Sequence, residues 1–487
     1  MTTNASVLDR YPDYQVDIGI EVHVQLNTKS KIFCASQNGP TEQANTNIDP
    51  VCTGYPGSLP VLNKQVVLDA ITTGLATNCT INLWSEFARK HYFYPDLPKG
   101  YQVTQDQFPI CSNGLVAIRL EDGALKNIRL QRIHMEEDAG KNIHAPQAGV
   151  SLVDLNRAGS PLLEIVSHPD IKSSYEARAY LKMLHSIVTY IGVCSGNMEE
   201  GVFRADTNIS VRKKDAEELG TRCELKNINS FKFISDAIEY EIERQILLIE
   251  SGQKIIRETR LWDTKEQKTF SMRSKEDAAD YRYVKDPDLP PVCIDPQWIE
   301  NAKNNLPELP IAKFNRLIDQ YKLTSDEAEI LVNDPNLASY FEDAARLNRS
   351  KLLINWILRD LLGHLKDKKI ALHDCLVTPN KLANLIKLLE QGTINSRGAQ
   401  EIFIAMSENG KDPETLVKEL NLTQLDNPDE LRVILTEIIE KNPQQVAGYK
   451  AGKSKLWGFF VGQAMTKTQG RANPQQLNTI LEELLQN

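Results

Sequence analysis

The segment from Val16 to Leu26 constrains the fold of this chain most strongly. Apolar and polar residues alternate through it without a break. Because successive side chains of a strand point to opposite faces, Glu21 and His23 fall on one polar face of a predicted strand. A glutamate two residues before a histidine can direct an oxygen and a nitrogen ligand to the same point. The alternation also fits a half-buried strand whose polar face is merely solvated.

Length and composition narrow the class of protein. A chain of 487 residues exceeds one hydrophobic core, so about two to four domains are expected. The sequence contains neither an apolar run of membrane-spanning length nor the hydrophobic stretch of a secretory signal, so we expect a cytoplasmic protein without a membrane contact. The eight cysteines are scattered, which favours reduced thiols over a disulfide framework. With a net charge of −9, any nucleic-acid contact requires a local basic surface.

Such a basic surface is predicted near the C-terminus. No acidic residue occurs between Glu440 and Glu482. The basic residues of this segment are Lys441, Lys450, Lys453, Lys455, Lys467 and Arg471. Lysine and arginine can neutralise phosphates, and Tyr449 and Trp457 offer rings for base stacking, so the segment is a candidate RNA-binding region. A solvated helix face is the alternative.

The sequence pattern changes at two places along the chain, which suggests domain boundaries. Its first part mixes strands and helices: residues 203–212 alternate and place Asp206 on a polar face, and helices are predicted from Ser173 and from Ser230. After the extended, proline-rich residues 286–291 the patterns become helical, with a capping box at Thr324 and Glu327. A polar, glycine-containing stretch at 407–413 suggests a further boundary. We therefore predict three domains, which are residues 1–295, 296–408 and 409–487.

An acidic cluster follows a strand-like stretch at residues 127–135. Glu136, Glu137 and Asp138 repel one another, which is tolerable on an exposed turn or next to a cation. Because consecutive strand residues face opposite ways, Glu136 and Glu137 are not both expected to be metal ligands unless the strand has ended.

Two cysteines, Cys34 and Cys52, resemble two of the four ligands of a zinc-binding loop, which we call the knuckle. Cys34 with Ser36, and Asp49 with Cys52, have the spacing of paired ligands. A closed zinc site requires four ligands, normally Cys or His. We therefore interpret Cys34 and Cys52 as inert thiols.

Eight segments, in order along nearly the whole chain, are similar to the B subunit of the aspartyl/glutamyl-tRNA amidotransferases. They are IGIEVHVQL, KHYFYPDLPKGYQ, HMEEDAGK, DLNRAGSPLLEIVSHPD, EEGVFRADTNISVR, ELKNINSF, YRYVKDPDLPP and YKAGKSKLWGFFVGQAMTKTQGRANP. The resemblance implies an α+β architecture: an N-terminal cradle domain with a mixed or antiparallel sheet, an all-α helical domain, and a YqeY-like helical tail that binds tRNA.

The resemblance also implies an activity and partners. Members of this family are ligases that phosphorylate the side-chain carboxylate of misacylated Glu-tRNA or Asp-tRNA with ATP and amidate it with ammonia. The ammonia comes from an A subunit that hydrolyses glutamine, and a small C subunit completes a heterotrimer. ATP and Mg²⁺ are the implied cofactors, since the reactants are heavily anionic.

The family's site maps onto particular residues of this chain. The residues implied for magnesium, ATP and catalysis are Glu21, His23, Glu137, Asp206 and Glu224, with Glu136 adjacent in the ATP site. Lys90 matches a position that lines the ammonia route, and the tail residues Lys450, Lys453, Lys455, Lys467 and Arg471 are expected to contact tRNA. Relatives often have four cysteines at the knuckle, so we predict that structural zinc is absent or weak here.

Two other functions share parts of this pattern. In a non-catalytic adapter, the acidic residues would stabilise a scaffold while the tail delivers tRNA to another enzyme. A metal-dependent phosphoesterase would use the same carboxylates but gives no reason for a basic helical tail. The convergence of five site residues favours the amidating enzyme, because a scaffold does not require so many like charges.

Overall fold

The computed structural model describes residues 6–145, 149–226, 228, 230–274, 281–425, 427–468 and 470–486. The chain divides into two compact units, Met1–Asn315 and Arg316–Asn487. The first unit contains the strands and the second is helical, so the predicted α+β class is confirmed. The three-domain division remains a prediction; helix α5 (Pro296–Asn304) packs against α2 (Lys64–Ala76) within the first unit.

The described residues of the first unit form sixteen strands. They are β1 (Tyr14–Gln25), β2 (Thr80–Ile81), β3 (Trp84–Ser85), β4 (Ala88–His91), β5 (Tyr101–Thr104), β6 (Cys111–Arg119), β7 (Leu125–Glu137), β8 (Lys141–Ala145), β9 (Val150–Asp154), β10 (Pro161–Ser167), β11 (Phe203–Lys213), β12 (Cys223–Lys226), β13 (Glu258–Asp263), β14 (Lys268–Ser274), β15 (Val284–Lys285) and β16 (Val292–Cys293). Its other helices are α1 (Val7–Arg10), α3 (Ser174–Tyr190) and α4 (Phe231–Glu250).

A nine-stranded sheet forms the centre of this unit, in the order β14-β13-β12-β11-β1-β10-β7-β6-β2. Neighbouring strands are antiparallel except for the parallel pair β12 and β13. The apolar residues of β1, from Val16 to Val24, are almost completely buried in the core, which includes residues of α2, α3 and α4. The predicted alternation of β1 is therefore confirmed, and the polar residues of β1 occupy the opposite face of the sheet.

The two helices predicted to cover the sheet begin where their capping serines stand. The Ser173 side chain accepts a hydrogen bond from the backbone N–H of Glu176, and Ser230 accepts one from Phe233. Each cap satisfies an N–H group that has no partner inside its helix. Helix α4 then ends just before Gly252, whose positive φ of 71° suits glycine.

The second unit is formed by helices. They are α6 (Pro310–Tyr321), which begins in the first unit, α7 (Ser325–Val332), α8 (Pro335–Leu347), α9 (Lys351–Asn355), α10 (Leu362–Lys368), α11 (Pro379–Glu390), α12 (Ser396–Asn409), α13 (Pro413–Glu419), α14 (Pro428–Lys441), α15 (Pro443–Lys450), α16 (Leu456–Lys467) and α17 (Pro474–Gln486). A π-helical turn, Trp356–Leu361, joins α9 to α10. The capping box of Thr324 and Glu327 is present, as predicted.

Helices α14, α16 and α17 share a small core that includes Leu435, Phe460 and Leu481. Burial of apolar residues from all three helices explains why these helices pack together. Among the described residues, no helix has both the length and the apolar character that crossing a membrane demands.

Candidate active site

Three adjacent strands bring His23, Glu136 and Glu164 together on the polar face of the sheet. His23 of β1 lies opposite Glu164 of β10, and Glu164 lies opposite His134 of β7, two residues before Glu136. The Nε2 atom of His23 is 3.6 Å from Glu136 Oε1 and 3.5 Å from Glu164 Oε2. One ligand atom from each of the three residues lies within 4.8 Å of the other two. We call these three residues the ligand trio.

His134 lies beside the ligand trio and supplies a positive charge. Its Nε2 atom is 3.2 Å from Glu164 Oε2 and 3.7 Å from Glu136 Oε2. Burial alone would lower the pKa of His134, but the two carboxylates outweigh it and raise that pKa to about 9. Burial would likewise raise the pKa of Glu164, yet His134 and His23 hold it well below its usual value. The imidazolium therefore offsets the repulsion between the two carboxylates.

A second acidic group adjoins the ligand trio on the same face. Glu21 lies opposite Asp206 on β11, and Lys226 Nζ bridges Asp206 at 2.7 Å and Glu224 at 3.3 Å. Burial, followed by repulsion from Glu164, Glu224 and Asp206, raises the pKa of Glu21. This is the environment in which a further cation would be stabilised.

Glu137 lies apart from the ligand trio. Strand β7 continues through Glu137, so its side chain points to the side opposite Glu136, as strand alternation requires. There it forms an ion pair with Lys99 and accepts a hydrogen bond of 2.9 Å from the backbone N–H of Val103. The structure thus places Glu136 near His23 and gives Glu137 a cationic partner of its own.

A cavity of about 250 Å³ opens on the ligand trio. Its wall also includes three cationic residues, Lys90, Arg157 and Arg204. The Nζ atom of Lys90 lies 4.8 Å from the centroid of the Tyr281 ring. Burial would lower the pKa of Lys90, but Tyr283 and then Glu136 and Glu164 raise it. Cations beside carboxylates in one cavity can bind a metal and an anion together.

A larger cavity, of about 470 Å³, continues along the polar face of β1. It is lined by Glu21 and Asp17 together with Arg132, His168 and Arg222. Glu21 therefore faces this second cavity while His23 faces the first. The two cavities therefore open on different acidic residues of the same face of the sheet.

The cysteine knuckle is organised around a buried lysine. The Lys31 ammonium group donates hydrogen bonds to the carbonyls of Asn47 at 2.6 Å and Ala158 at 2.7 Å, and it lies 3.6 Å from Cys52 Sγ. A hydrogen bond with Cys34 and the charge of Lys31 outweigh burial and lower the pKa of Cys52 to about 6. A closed zinc site needs four ligands, normally Cys or His, and only Cys34 and Cys52 are present here, so these residues do not fit zinc.

The tail presents its basic residues unequally. Lys450, Lys453 and Lys455 are exposed, and none has an ion pair within the described ranges of the chain. Lys467 instead pairs with Glu437. Arg471 donates a hydrogen bond of 3.2 Å to the Thr468 carbonyl. The rings of Tyr449 and Trp457 lie 5.8 Å apart, close to the exposed lysines in sequence.

Sequence reasoning missed Glu164. Its strand, β10, is otherwise buried and apolar apart from its last residue, Ser167, and in the sequence this segment contributes only to the family resemblance. Burying a single charged residue in an apolar strand is energetically unfavourable unless the charge is paired. This isolated glutamate was therefore the one feature of the segment that could have pointed to the site. The alternation of residues 203–212 puts Arg204 on the same face as Asp206, but the role of Arg204 could not be inferred without its neighbours.

Two family models match this chain. One, described as the GatB/GatE catalytic domain, matches residues 16–300, and the other, described as a GatB domain, matches residues 339–485. The chain belongs to the GatB family. The ligand trio and both cavities of this GatB family member lie inside the matched catalytic domain, and its exposed tail lysines lie inside the second matched domain.

Relatives in the GatB family are similar over almost their whole length. The B subunit of the aspartyl/glutamyl-tRNA(Asn/Gln) amidotransferase of Thermodesulfovibrio yellowstonii is 49% identical over 473 residues, covering 97% of this chain and 99% of that protein. The protein of the same name from Geotalea uraniireducens is 52% identical over 472 residues, covering 96% and 98%. That of Carboxydothermus hydrogenoformans is 47% identical over 477 residues, covering 97% and 99%.

Proposed function

We propose that this member of the GatB family converts the side-chain carboxylate of misacylated Glu-tRNA(Gln), Asp-tRNA(Asn) or both into an amide. The observation that carries the proposal is the ligand trio of His23, Glu136 and Glu164 in a cavity that also holds Lys90, Arg157 and Arg204. Relatives that are about half identical bear the name of an aspartyl/glutamyl-tRNA amidotransferase subunit. The reaction would take place in the cytoplasm, where misacylated tRNA is formed.

The chemistry requires activation of the carboxylate, because ammonia does not displace an oxide. In the first step, a carboxylate oxygen attacks the terminal phosphorus of ATP, and the bond to ADP breaks to give an acyl phosphate. In the second step, ammonia attacks the carbonyl carbon. Inorganic phosphate departs with one of the ammonia protons, which leaves the amide.

Magnesium is the cation that this proposal requires. The ligand trio offers a nitrogen and carboxylate oxygens, and Glu21, Asp206 and Glu224 offer further oxygens alongside. We propose that the trio holds one Mg²⁺ and that the second acidic group holds the metal that accompanies ATP. When bound, Mg²⁺ neutralises negative charge on the reacting phosphate and carboxylate.

The cationic residues of the cavity have a separate task. Lys90 lines the same cavity as the ligand trio and remains protonated, since Tyr283 and then the carboxylates raise its pKa. In that state it cannot remove a proton from ammonia, so we assign it the role of fixing the position of a water or ammonia molecule on the way to the acyl carbon.

Ammonia and tRNA would come from other molecules. We propose that an A subunit releases ammonia from glutamine, that a small C subunit joins the two larger chains, and that the exposed lysines of the tail bind the tRNA backbone. The support for tRNA binding is the group of Lys450, Lys453 and Lys455, which lack internal partners in the described parts of the chain.

The proposal is tested with the reconstituted complex, using ammonium in place of glutamine. ATP cleavage and amide formation are measured with Glu-tRNA and Asp-tRNA separately, for the wild type, Glu136→Gln and a control, Glu266→Gln, which changes an exposed turn. Cleavage that depends on misacylated tRNA and is lost only in Glu136→Gln supports the proposal. Full activity of Glu136→Gln would favour an adapter, and ATP cleavage or phosphoester hydrolysis without amide formation would favour a phosphoesterase.

A further inference from the structure

We propose that Arg204 binds the phosphoryl group while it passes from ATP to the substrate carboxylate. This inference rests on the proposed function and names a residue that performs its first step. Arg204 lies on β11 directly opposite His23 of β1. Both residues line the cavity that contains Glu136 and Glu164. A group held by the ligand trio would therefore meet the Arg204 guanidinium.

Arg204 is held in place by Asp138. Its Nη2 atom donates a hydrogen bond of 2.9 Å to Asp138 Oδ2. The Asp138 side chain is nearly buried, and Arg157 Nε lies 3.3 Å from the same oxygen. Because the carboxylate is fixed by two arginines, it orients the guanidinium plane of Arg204 without using all of its donors.

One buried donor of Arg204 has no partner among the described residues. This donor is the Nε atom. Burying an N–H group without an acceptor is unfavourable, so most buried donors in proteins are paired. An acceptor supplied by a bound ligand would remove this cost.

Other arginines nearby have protein partners for their donors. On the same face of β11, Arg212 donates from Nε to Asp17 Oδ2 at 2.8 Å and from Nη1 to the Ala216 carbonyl. In the cavity wall, Arg157 donates to the carbonyls of Ala139 at 3.0 Å and Gly140 at 2.8 Å. These hydrogen bonds account for the positions of the two arginines. For Arg204, by contrast, a protein partner accounts only for the Nη2 donor, which binds Asp138.

The chemistry of the transfer fits this donor. During phosphoryl transfer, negative charge spreads over the three equatorial oxygens, and a planar guanidinium group can donate to two of them. Arginines that perform this task in other phosphoryl-transfer enzymes contribute roughly 10³- to 10⁵-fold to the rate. Because metal ions share the charge here, we expect a loss of roughly 10²- to 10³-fold on removal of Arg204.

The test compares Arg204→Ala and Arg204→Lys in the complete complex. The matched control is Arg129→Ala, which also removes an arginine paired with an aspartate, Asp170, but from an exposed site on β7. The rate of ATP cleavage is measured with ammonium and saturating misacylated tRNA, together with KM for the tRNA. Magnesium binding is measured in parallel by calorimetry.

We expect Arg204→Ala to lower kcat with little change in KM or in magnesium affinity, and added guanidinium ion to restore part of the rate. Arg204→Lys should keep only a small part of the activity, because a lysine cannot donate to two oxygens in one plane. An unchanged kcat in Arg204→Ala would overturn the inference, as would a defect confined to KM, which would assign Arg204 to the aminoacyl group. A wild type without tRNA-dependent ATP cleavage would instead contradict the proposed function itself.

Discussion

His23 and Glu164 face each other across two neighbouring strands, with Nε2 and Oε2 3.5 Å apart. Their separation in sequence is large, yet the register of β1 and β10 makes them direct partners. His134 on the next strand contacts the same glutamate from the other side. One carboxylate thus lies between two imidazoles, and a metal bound by His23 and Glu164 would compete with the His134 proton for that carboxylate.

The opposite orientations of Glu136 and Glu137 predict different consequences for two similar substitutions. Glu137→Gln should leave magnesium affinity almost unchanged, because Glu137 lies apart from the ligand trio and pairs with Lys99. It should lower the free energy of unfolding by about 3 kcal/mol, since it leaves the nearly buried Lys99 charge without its partner. Chemical denaturation and magnesium calorimetry on Glu136→Gln and Glu137→Gln check both statements. A loss of magnesium binding in Glu137→Gln alone would show that the ligand assignment is wrong.

Magnesium binding should release protons. In the metal-free protein His134 has a pKa of about 9, so it is protonated near neutral pH. A cation on Glu136 and Glu164 removes the charges that raise this pKa, and the proton leaves. Magnesium affinity should therefore increase as the pH rises towards about 9. Calorimetry in buffers of different ionisation enthalpy measures the release, which should be smaller in His134→Gln. Part of it should remain, because Glu164 and then Glu136 outweigh burial and raise the pKa of His23, which must also lose its proton to bind the metal.

The same residue gives the metal-free protein a pH-dependent stability. Because the folded-state pKa of His134 is raised above its ordinary value of 6.5, its contribution is fully present below about pH 6.5 and is lost as the pH rises through about 9. Thermal unfolding of the metal-free wild type should show this loss, and His134→Gln should show less of it, because only the smaller contribution of His23, whose pKa is also raised, remains. A wild-type profile that is flat across this interval would contradict the charge state assigned to His134.

Much of this site could be predicted before the structure, and the reason is strand periodicity. Alternation alone placed Glu21, His23 and Asp206 on polar faces, and the structure has all three there. Periodicity cannot say which strands are neighbours, so the row of His23, Glu164 and His134 could not be deduced. Periodicity also could not decide which of Glu136 and Glu137 lies on the polar face of the sheet, because that depends on where β7 ends.

The α+β class was predictable because apolar residues recur with the period of a strand in segments of the first part of the chain and with the period of a helix in the second part. Helix starts at Ser173, Ser230 and Thr324 followed from capping residues, which act locally. The packing of α5 against α2 within the first unit depends on contacts between residues far apart in the sequence, and local sequence patterns do not predict such contacts. The role of Lys31 was missed for the same reason, since its partners are carbonyls of distant loops.

The exposed lysines of the tail should dominate tRNA affinity. Replacing Lys450, Lys453 and Lys455 together by alanine should weaken binding roughly tenfold or more at low salt. It should also make the plot of log affinity against log salt concentration less steep, by the amount expected for the loss of roughly two to three phosphate contacts. The matched control is Lys441→Ala, because Lys441 is already paired with Glu437. Filter binding at several salt concentrations gives both quantities. An equal effect of the control would place the tRNA elsewhere.

The knuckle should hold its shape without zinc. Elemental analysis of the purified protein should find much less than one zinc per chain. Lys31→Met should lower the free energy of unfolding by about 1–3 kcal/mol, because it leaves the carbonyls of Asn47 and Ala158 without a donor. Lys29→Met, at an exposed position, is the control. Stoichiometric zinc that is lost in Cys34→Ser would contradict this account of the loop.

The central claim is that the ligand trio is where the substrate carboxylate is activated. It is tested most directly by the rate of ATP cleavage that depends on misacylated tRNA, measured with ammonium in the complete complex for the wild type and Glu164→Gln. We predict a loss of at least roughly 10²-fold in Glu164→Gln with tRNA binding unchanged, because the variant removes one of the metal-binding carboxylates. Wild-type cleavage by Glu164→Gln would contradict the claim and assign the acidic residues to structure alone.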